Sequence, residues 1–323
     1  MRVTRRQSLR AAAGVFGAPL LPANALAFDY PSRPIHLTVG FAAGLAPDIV
    51  ARLLAKPLTE RLGQNVIIDD RPGAGSNIAA DVVVHSSADG YTLLYVTLGN
   101  TINATFYRHL DFDITRDIAP IAGTVRSPSV LVVSPSVPAQ TLPEFIAYAK
   151  ANPGKINFAS GGIGTAPHLA GELFKQMAGV DLVHVPYTSS YMPDLLAGRV
   201  QVTFAPIATS IADVKAGKLR ALAVTGATRS DILPNVPTVA EFVNGYEASV
   251  WHGMGAPKDT APDIISMLNR AVGAALADPA FKTQLAGLGA QPMPMSPGDF
   301  GKFIAAEVKK WASVIKLAGL QPV

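Results

Sequence analysis

Cysteine is absent from the 323 residues, which excludes disulfides, thiolate catalysis and cysteine-ligated metal sites. Internal repeats, low-complexity tracts and blocks of like charge are missing too, so nothing marks an interaction tail. Aromatic residues are scarce at 7%, and no basic patch is interleaved with them. Nucleic acid is therefore not expected as a partner. Familiar catalytic signatures are lacking: there is no H-E-x-x-H, no G-x-S-x-G, and no P-loop, because no Lys follows either glycine cluster in the required way. The six histidines, His36, His85, His109, His168, His184 and His252, are scattered. No metal and no cofactor is expected.

What is present begins with a leader. Arg2, Arg5, Arg6 and Arg10 form a basic region, Ala11 to Leu21 is apolar and small, and Ala25-Leu-Ala27 reads as a cleavage signal. Arg10, Pro19 and Pro22 leave the apolar stretch short of the ~20 residues a spanning helix needs. Residues 1–27 are thus expected to be a cleaved export signal. Thr4-Arg5-Arg6-Gln7-Ser8-Leu9 resembles a twin-arginine signal, with Ser8 where a bulky apolar residue is usual. The leader also explains the charge. The chain has 27 Lys+Arg against 23 Asp+Glu, four of the basic residues lie in the leader, and the remainder is balanced. About 296 residues then remain, enough for two lobes with substantial cores.

Apolar runs of strand length alternate with amphipathic helical segments. Ile35 to Phe41, Val66 to Asp69, Thr92 to Thr97, Val130 to Ser134, Ile156 to Ser160, Leu182 to Val185, Val200 to Phe204 and Leu219 to Thr225 read as strands. This alternation predicts an α/β fold in which a mostly parallel sheet is covered on both faces. Glu247 to Pro257 breaks the pattern as a long strand returning the chain to its first half, followed by three helices. The expected division is 28–127 with 248–323 as one lobe and 128–247 as the other. The crossings then fall near Arg126 to Val130 and Ala248 to Trp251, a hinge pair.

Two strand-to-helix junctions share one grammar: Val39-Gly-Phe-Ala-Ala-Gly-Leu-Ala-Pro-Asp48 and Phe158-Ala-Ser-Gly-Gly-Ile-Gly-Thr-Ala-Pro-His168. Glycines turn the backbone and a proline starts the helix, so free N–H groups and the positive helix end are aimed at an anion. Ser160 and Thr165 would add hydroxyl donors. A glycine turn that merely starts a helix, with Thr165 as its N-cap, fits the same residues equally well. For His168 a hydrogen bond within the fold competes with ligand contact. Asp48 favours the helix dipole and would repel an anion lacking an amine or hydroxyl. A third turn, Asp69 to Asn77, reads as architecture with Arg71 pairing a carboxylate.

The chain resembles the Bug family of exported solute-binding receptors, associated with tripartite tricarboxylate transporters. The resemblance rests on Tyr30-Pro-Ser-Arg-Pro-Ile35, Asp48-Ile-Val-Ala-Arg52, Arg71-Pro-Gly-Ala-Gly75, Asp89-Gly-Tyr-Thr-Leu93, Lys150-Ala-Asn-Pro-Gly-Lys155, His168-Leu-Ala-Gly-Glu172, His184-Val-Pro-Tyr187 and Pro237-Thr-Val-Ala-Glu241, in order along the chain. It implies a two-lobed, flytrap-like periplasmic binding protein that captures a small organic acid without reacting it. It also implies a monomer in the periplasm that serves a membrane transporter or sensor. By position it assigns Phe41, Ala43, Gly44 and Asp48 to one side of the site. Ser160, Gly161, Gly164, Thr165, His168 and Tyr187 fall on the other. The departures from the family pattern bring in Leu45, Tyr191 and Met192 and place Ala205 where an Asp is common. They point to a ligand with one carboxylate and an apolar, even aromatic, body. The competing reading is a secreted hydrolase or isomerase, which a nucleophile set against a base, such as Ser160 against His168, would favour.

Overall fold

The computed structural model describes residues 30–322. The expected export signal lies outside the described residues. In chain order the elements are β1 (Ile35–Val39), α1 (Ala46–Leu62), β2 (Val66–Asp70), α2 (Asn77–Val84), β3 (Thr92–Thr97), α3 (Leu98–Phe106), β4 (Ile118–Ser127), β5 (Ser129–Val133), α4 (Leu142–Ala151) and β6 (Ile156–Ser160). They continue with α5 (Ala166–Ala178), β7 (Leu182–Pro186), α6 (Met192–Leu196), β8 (Val202–Pro206), α7 (Ile207–Lys215), β9 (Arg220–Val224), β10 (Val250–Pro257), α8 (Pro262–Ala277), α9 (Pro279–Gly287), β11 (Gln291–Pro292) and α10 (Pro297–Leu317).

The strands form two sheets, ordered β11-β4-β10-β3-β1-β2 and β7-β6-β8-β5-β9. Each has a parallel core, β2-β1-β3 in one and β7-β6-β8 in the other. The remaining pairings are antiparallel, so the expectation of a mostly parallel sheet is corrected to two mixed sheets. The physical reason is that β10 returns against β3 and β4, and β5 runs between β8 and β9, reversals that the strand-helix alternation does not encode. The whole of β4 escapes the sequence pattern as well. Pro120 and Gly123 interrupt it, and they are tolerated because β11 covers only Val125 and Arg126, leaving the Pro120 end of the strand unpaired on that side.

Helix starts follow the sequence closely. Pro47 opens α1 and Pro167 opens α5, and both helices end on left-handed glycines, Gly63 and Gly179. One apolar cluster joins Leu94, Val96 and Trp251 around the first sheet to Phe158, Phe174 and Phe204 around the second. Glu307 on α10 pins part of it. Its buried carboxylate accepts from the indoles of Trp251 and Trp311 at 2.8 and 3.0 Å and pairs with Lys310.

The chain crosses between the sheets at Pro128 and again before β10, and one buried side chain ties the crossings together. The Ser129 N–H donates to Thr225 Oγ1 at 2.8 Å, and that hydroxyl reaches the carbonyls of Ser129 and Ala248 at 3.2 and 3.1 Å. The Ala248 N–H returns a bond to the Thr225 carbonyl.

Candidate functional site

The two junctions leave the C-terminal ends of β1 and β6, the edge where open α/β sheets bind ligands. The same device holds both. In the first, the Gly44 N–H donates to Asp48 Oδ2 at 2.7 Å; in the second, the Gly164 N–H donates to His168 Nδ1 at 3.0 Å. Each glycine has a left-handed φ, +84° and +79°, which an L side chain rarely adopts. In both cases an acceptor in the first turn of the helix reaches back four residues and fixes the turn. No hydrogen bond or ion pair joins the two junctions among the described residues.

The first junction carries charge inside and apolar surface outside. Asp48 is buried, and Arg52 Nε lies 2.5 Å from its Oδ1 in an ion pair rather than an aligned hydrogen bond. Arg52 also donates to Asp70 at 2.6 Å. Burial and the nearby Asp48 raise the Asp70 pKa above the ordinary carboxylate value. Arg71, expected to pair a carboxylate, is exposed and forms no ion pair among the described residues; Arg52 takes that role. Phe41 is half-buried, Ala43 and Gly44 are exposed, and Leu45 is 51% exposed.

At the second junction the donors that the sequence singles out are already engaged. Ser160 is fully buried. Its Oγ lies 2.7 Å from His184 Nε2, accepts from the Gly162 N–H at 3.1 Å and sits 3.0 Å from the Gly162 carbonyl. The Thr165 hydroxyl donates to the same carbonyl at 2.7 Å, so Thr165 is an N-cap by position but not by side-chain bond. His168 is buried, and the Gly164 N–H is spent on it. What remains is backbone. Among the described residues the Gly161 and Ile163 N–H groups have no acceptor, and a Cβ placed on the exposed Gly161 would meet nothing within 4 Å. Gly164 is different, because its Cβ would lie 2.7 Å from the ring of Phe106 on α3.

Tyr187 and Tyr191 meet edge-to-face at 6.1 Å beside this junction, with the Tyr187 N–H on the Ser160 carbonyl. The Tyr187 hydroxyl donates to Asp194 at 2.8 Å, and Asp194 pairs with Arg199. The pair therefore offers ring surface more than a free donor. Ala205 is fully buried in the apolar core around β5 and β8 and offers a solute no surface; the exposed end of that strand is Pro206.

Ser160 against His184 has the spacing of a nucleophile and its base. Access and orientation are missing, however: the hydroxyl is buried and shared with Gly162, and no carboxylate lies within ion-pair distance of His184 among the described residues.

Sequence reasoning missed a buried polar group in the third turn. Ser76 sits at φ +82° and Ala74 at +46°, both unusual for residues with a Cβ. A Cβ on Gly40 would overlap Ser76 Oγ, so the third turn presses directly on the first junction. Ser76 Oγ, Asn77 Nδ2 and Asn100 Nδ2 are buried without partners, whereas Asn103 Nδ2 bonds Gly75 and Asn77 at 2.8 Å. The signal available in the sequence was Ser76 itself, a residue with a side chain directly after a glycine-rich turn. A separate cavity of about 250 Å³ lies between β4 and α8, lined by Gly123, Asn269, Val272 and Met295. The Asn269 amide is committed to the Ile121 and Met295 carbonyls, which leaves that cavity without a free donor from it.

The sequence profile of the tripartite tricarboxylate transporter family receptors matches residues 50–320. This chain belongs to that family. It is a solute-binding receptor of the Bug type, 36% identical to protein BugT of Bordetella pertussis over 327 residues, with 99% of each chain covered. Among solved structures, R. palustris Rpa4515 with adipate is 38% identical at a TM-score of 0.75, covering 91% of this receptor and all of that chain. The periplasmic binding protein BugD is 33% identical at 0.71, covering 90% and 99%.

Proposed function

We propose that this receptor captures a small carboxylate with an apolar body in the periplasm, its carboxylate at the second junction and its body toward Leu45, Tyr187 and Tyr191. The observation that carries this reading is the pair of unused N–H groups at Gly161 and Ile163, set at the start of α5 with open space before Gly161. Charge supports the same orientation. The second junction is fixed by a histidine held neutral, the first by a carboxylate. The similarity to a structure that holds adipate, a dicarboxylate with an apolar middle, supports a carboxylate solute with an apolar portion.

The lobes are proposed to be 28–127 with 248–323 and 128–247, flexing where Thr225 ties Ser129 to Ala248. In this reading the receptor is a monomer, exported by the twin-arginine route, that delivers solute to a membrane transporter without reacting it; the buried Ser160 hydroxyl favours binding over hydrolysis. A second reading, a dicarboxylate, is favoured by the similarity to the structure that holds adipate, whose two carboxylates would need a second receiving point.

A thermal-shift panel of hexanoate, benzoate, adipate and malate tests both. A ligand at 100 times its Kd stabilises the native state by about 2.7 kcal/mol. Hexanoate or benzoate should shift the melting temperature upward and malate should not. Adipate alone would favour the dicarboxylate reading, and no shift with any of the four would refute both.

A further inference from the structure

We infer that His168 and His184 are positioning residues that fix the carboxylate-receiving loop from both of its ends, an inference that rests on the receptor reading above. The loop is held by a continuous line of contacts. The Gly164 N–H donates to His168 Nδ1 at 3.0 Å, and the His168 and His184 rings stack 3.7 Å apart at 19°. His184 Nε2 lies 2.7 Å from Ser160 Oγ, which accepts from the Gly162 N–H. Gly162 and Gly164 are thereby tied inward on either side of Ile163. The N–H groups left over are those of Gly161 and Ile163, so the histidines decide which donors a solute meets.

The arrangement requires neutral rings. A proton on His168 Nδ1 would remove the acceptor of the Gly164 N–H, and two imidazoliums at stacking distance would repel. The surroundings enforce neutrality. Burial lowers the His168 pKa to about 3, with smaller contributions from His184 and Lys175, and burial with Lys175 lowers that of His184 to about 4. The facing groups are Lys175 and Glu172 on α5, paired at 2.9 Å with Glu172 Oε1 3.8 Å from His168 Nε2, and Phe158 and Ser160 on β6. Among the described residues Glu172 is the acid within ion-pair distance of His168 and would favour a proton there, and its pairing with Lys175 offsets it.

Asparagine presents an amide oxygen where histidine has Nδ1, and glutamine reaches the place of Nε2, so conservative variants separate geometry from bulk. Amide exchange at Gly162 and Gly164 and titration with adipate would be measured on the full chain, its His168→Leu and His184→Leu variants, and His168→Asn and His184→Gln. Losing one buried hydrogen bond corresponds to about tenfold in an equilibrium constant. The leucine variants should exchange these amides about tenfold faster and bind adipate about tenfold more weakly, with asparagine and glutamine recovering most of both. Folded leucine variants with unchanged glycine exchange would overturn the inference, as would conservative variants no better than leucine. Should leucine prevent folding, the wild-type protection factors decide. Gly164 should lose protection below pH 4 ahead of the global core, and simultaneous loss would count against the proposal. Absence of adipate binding in the wild type bears on the choice of solute and leaves the exchange test intact.

Discussion

The two junctions are built alike and charged differently. At each, a left-handed glycine gives its N–H to the side chain four residues on, Asp48 in one and His168 in the other. The shared rule fixes shape, and the differing acceptor sets which junction suits an anion. A like charge about 4 Å away costs ~1 kcal/mol in water and ~4 kcal/mol at the effective dielectric near a protein surface. Asp48 is partly offset by Arg52, which Asp70 also claims. The neutral histidine imposes no such repulsion, which is the physical ground for proposing the second junction as the receiver of the carboxylate.

The largest effect that would break this comparison is at Asp48. Replacing it by Ala leaves the Gly44 N–H without its charged acceptor and Arg52 with Asp70 alone, and a loss of about 3 kcal/mol is expected in urea unfolding. A loss below about 1 kcal/mol would mean that the carboxylate does not hold the first junction. Gly164→Val should cost about 2 kcal/mol, from its positive φ and the Phe106 ring. Phe106→Ala in the same chain should recover part of that, and strict additivity in the double-mutant cycle would deny the contact.

The pH response comes next. Both histidines have folded pKa values below the unfolded value near 6.5, so the unfolded chain binds more protons between the two. Their contribution is complete above about 6.5 and is lost as pH falls toward 4 for His184 and 3 for His168. Urea midpoints should therefore drop between pH 7 and pH 4, and the drop should shrink in His184→Gln; an equal drop would place the acid sensitivity elsewhere. The smallest effect is expected from Leu45→Ala. This exposed side chain should change stability by no more than about 0.5 kcal/mol while weakening hexanoate or adipate a few-fold in calorimetry.

Much of the fold was legible because its parallel units announce themselves locally. Apolar runs, Pro47 and Pro167 at helix starts, and Gly63 and Gly179 at helix ends place β1-α1 and β6-α5 from sequence alone. The antiparallel returns were less visible, since pairing between β10 and β4 depends on residues more than a hundred positions apart. The site divides in the same way. That both junctions turn on glycine is written in their spacing. Which donors stay free is not, because Ser160 is consumed by His184, 24 residues away, and Gly164 by a histidine whose ring direction depends on packing against Phe158. Ala205, expected at the site, is lost to it for a related reason: a strand residue faces the core or the solvent according to register, and on β8, paired with β5, Ala205 faces the core.

The direct test of the second junction as carboxylate receiver is calorimetric titration of adipate into wild-type and Gly161→Pro receptor. Proline removes the Gly161 N–H at a position outside the left-handed region and after Ser160, which ends a strand, the backbone that proline favours in its predecessor; the unfolding midpoint reports whether the turn keeps its shape. With the unfolding midpoint unchanged, adipate affinity should fall about tenfold or more for the lost charge-assisted bond. Wild-type affinity in a folded Gly161→Pro receptor would contradict that placement of the carboxylate.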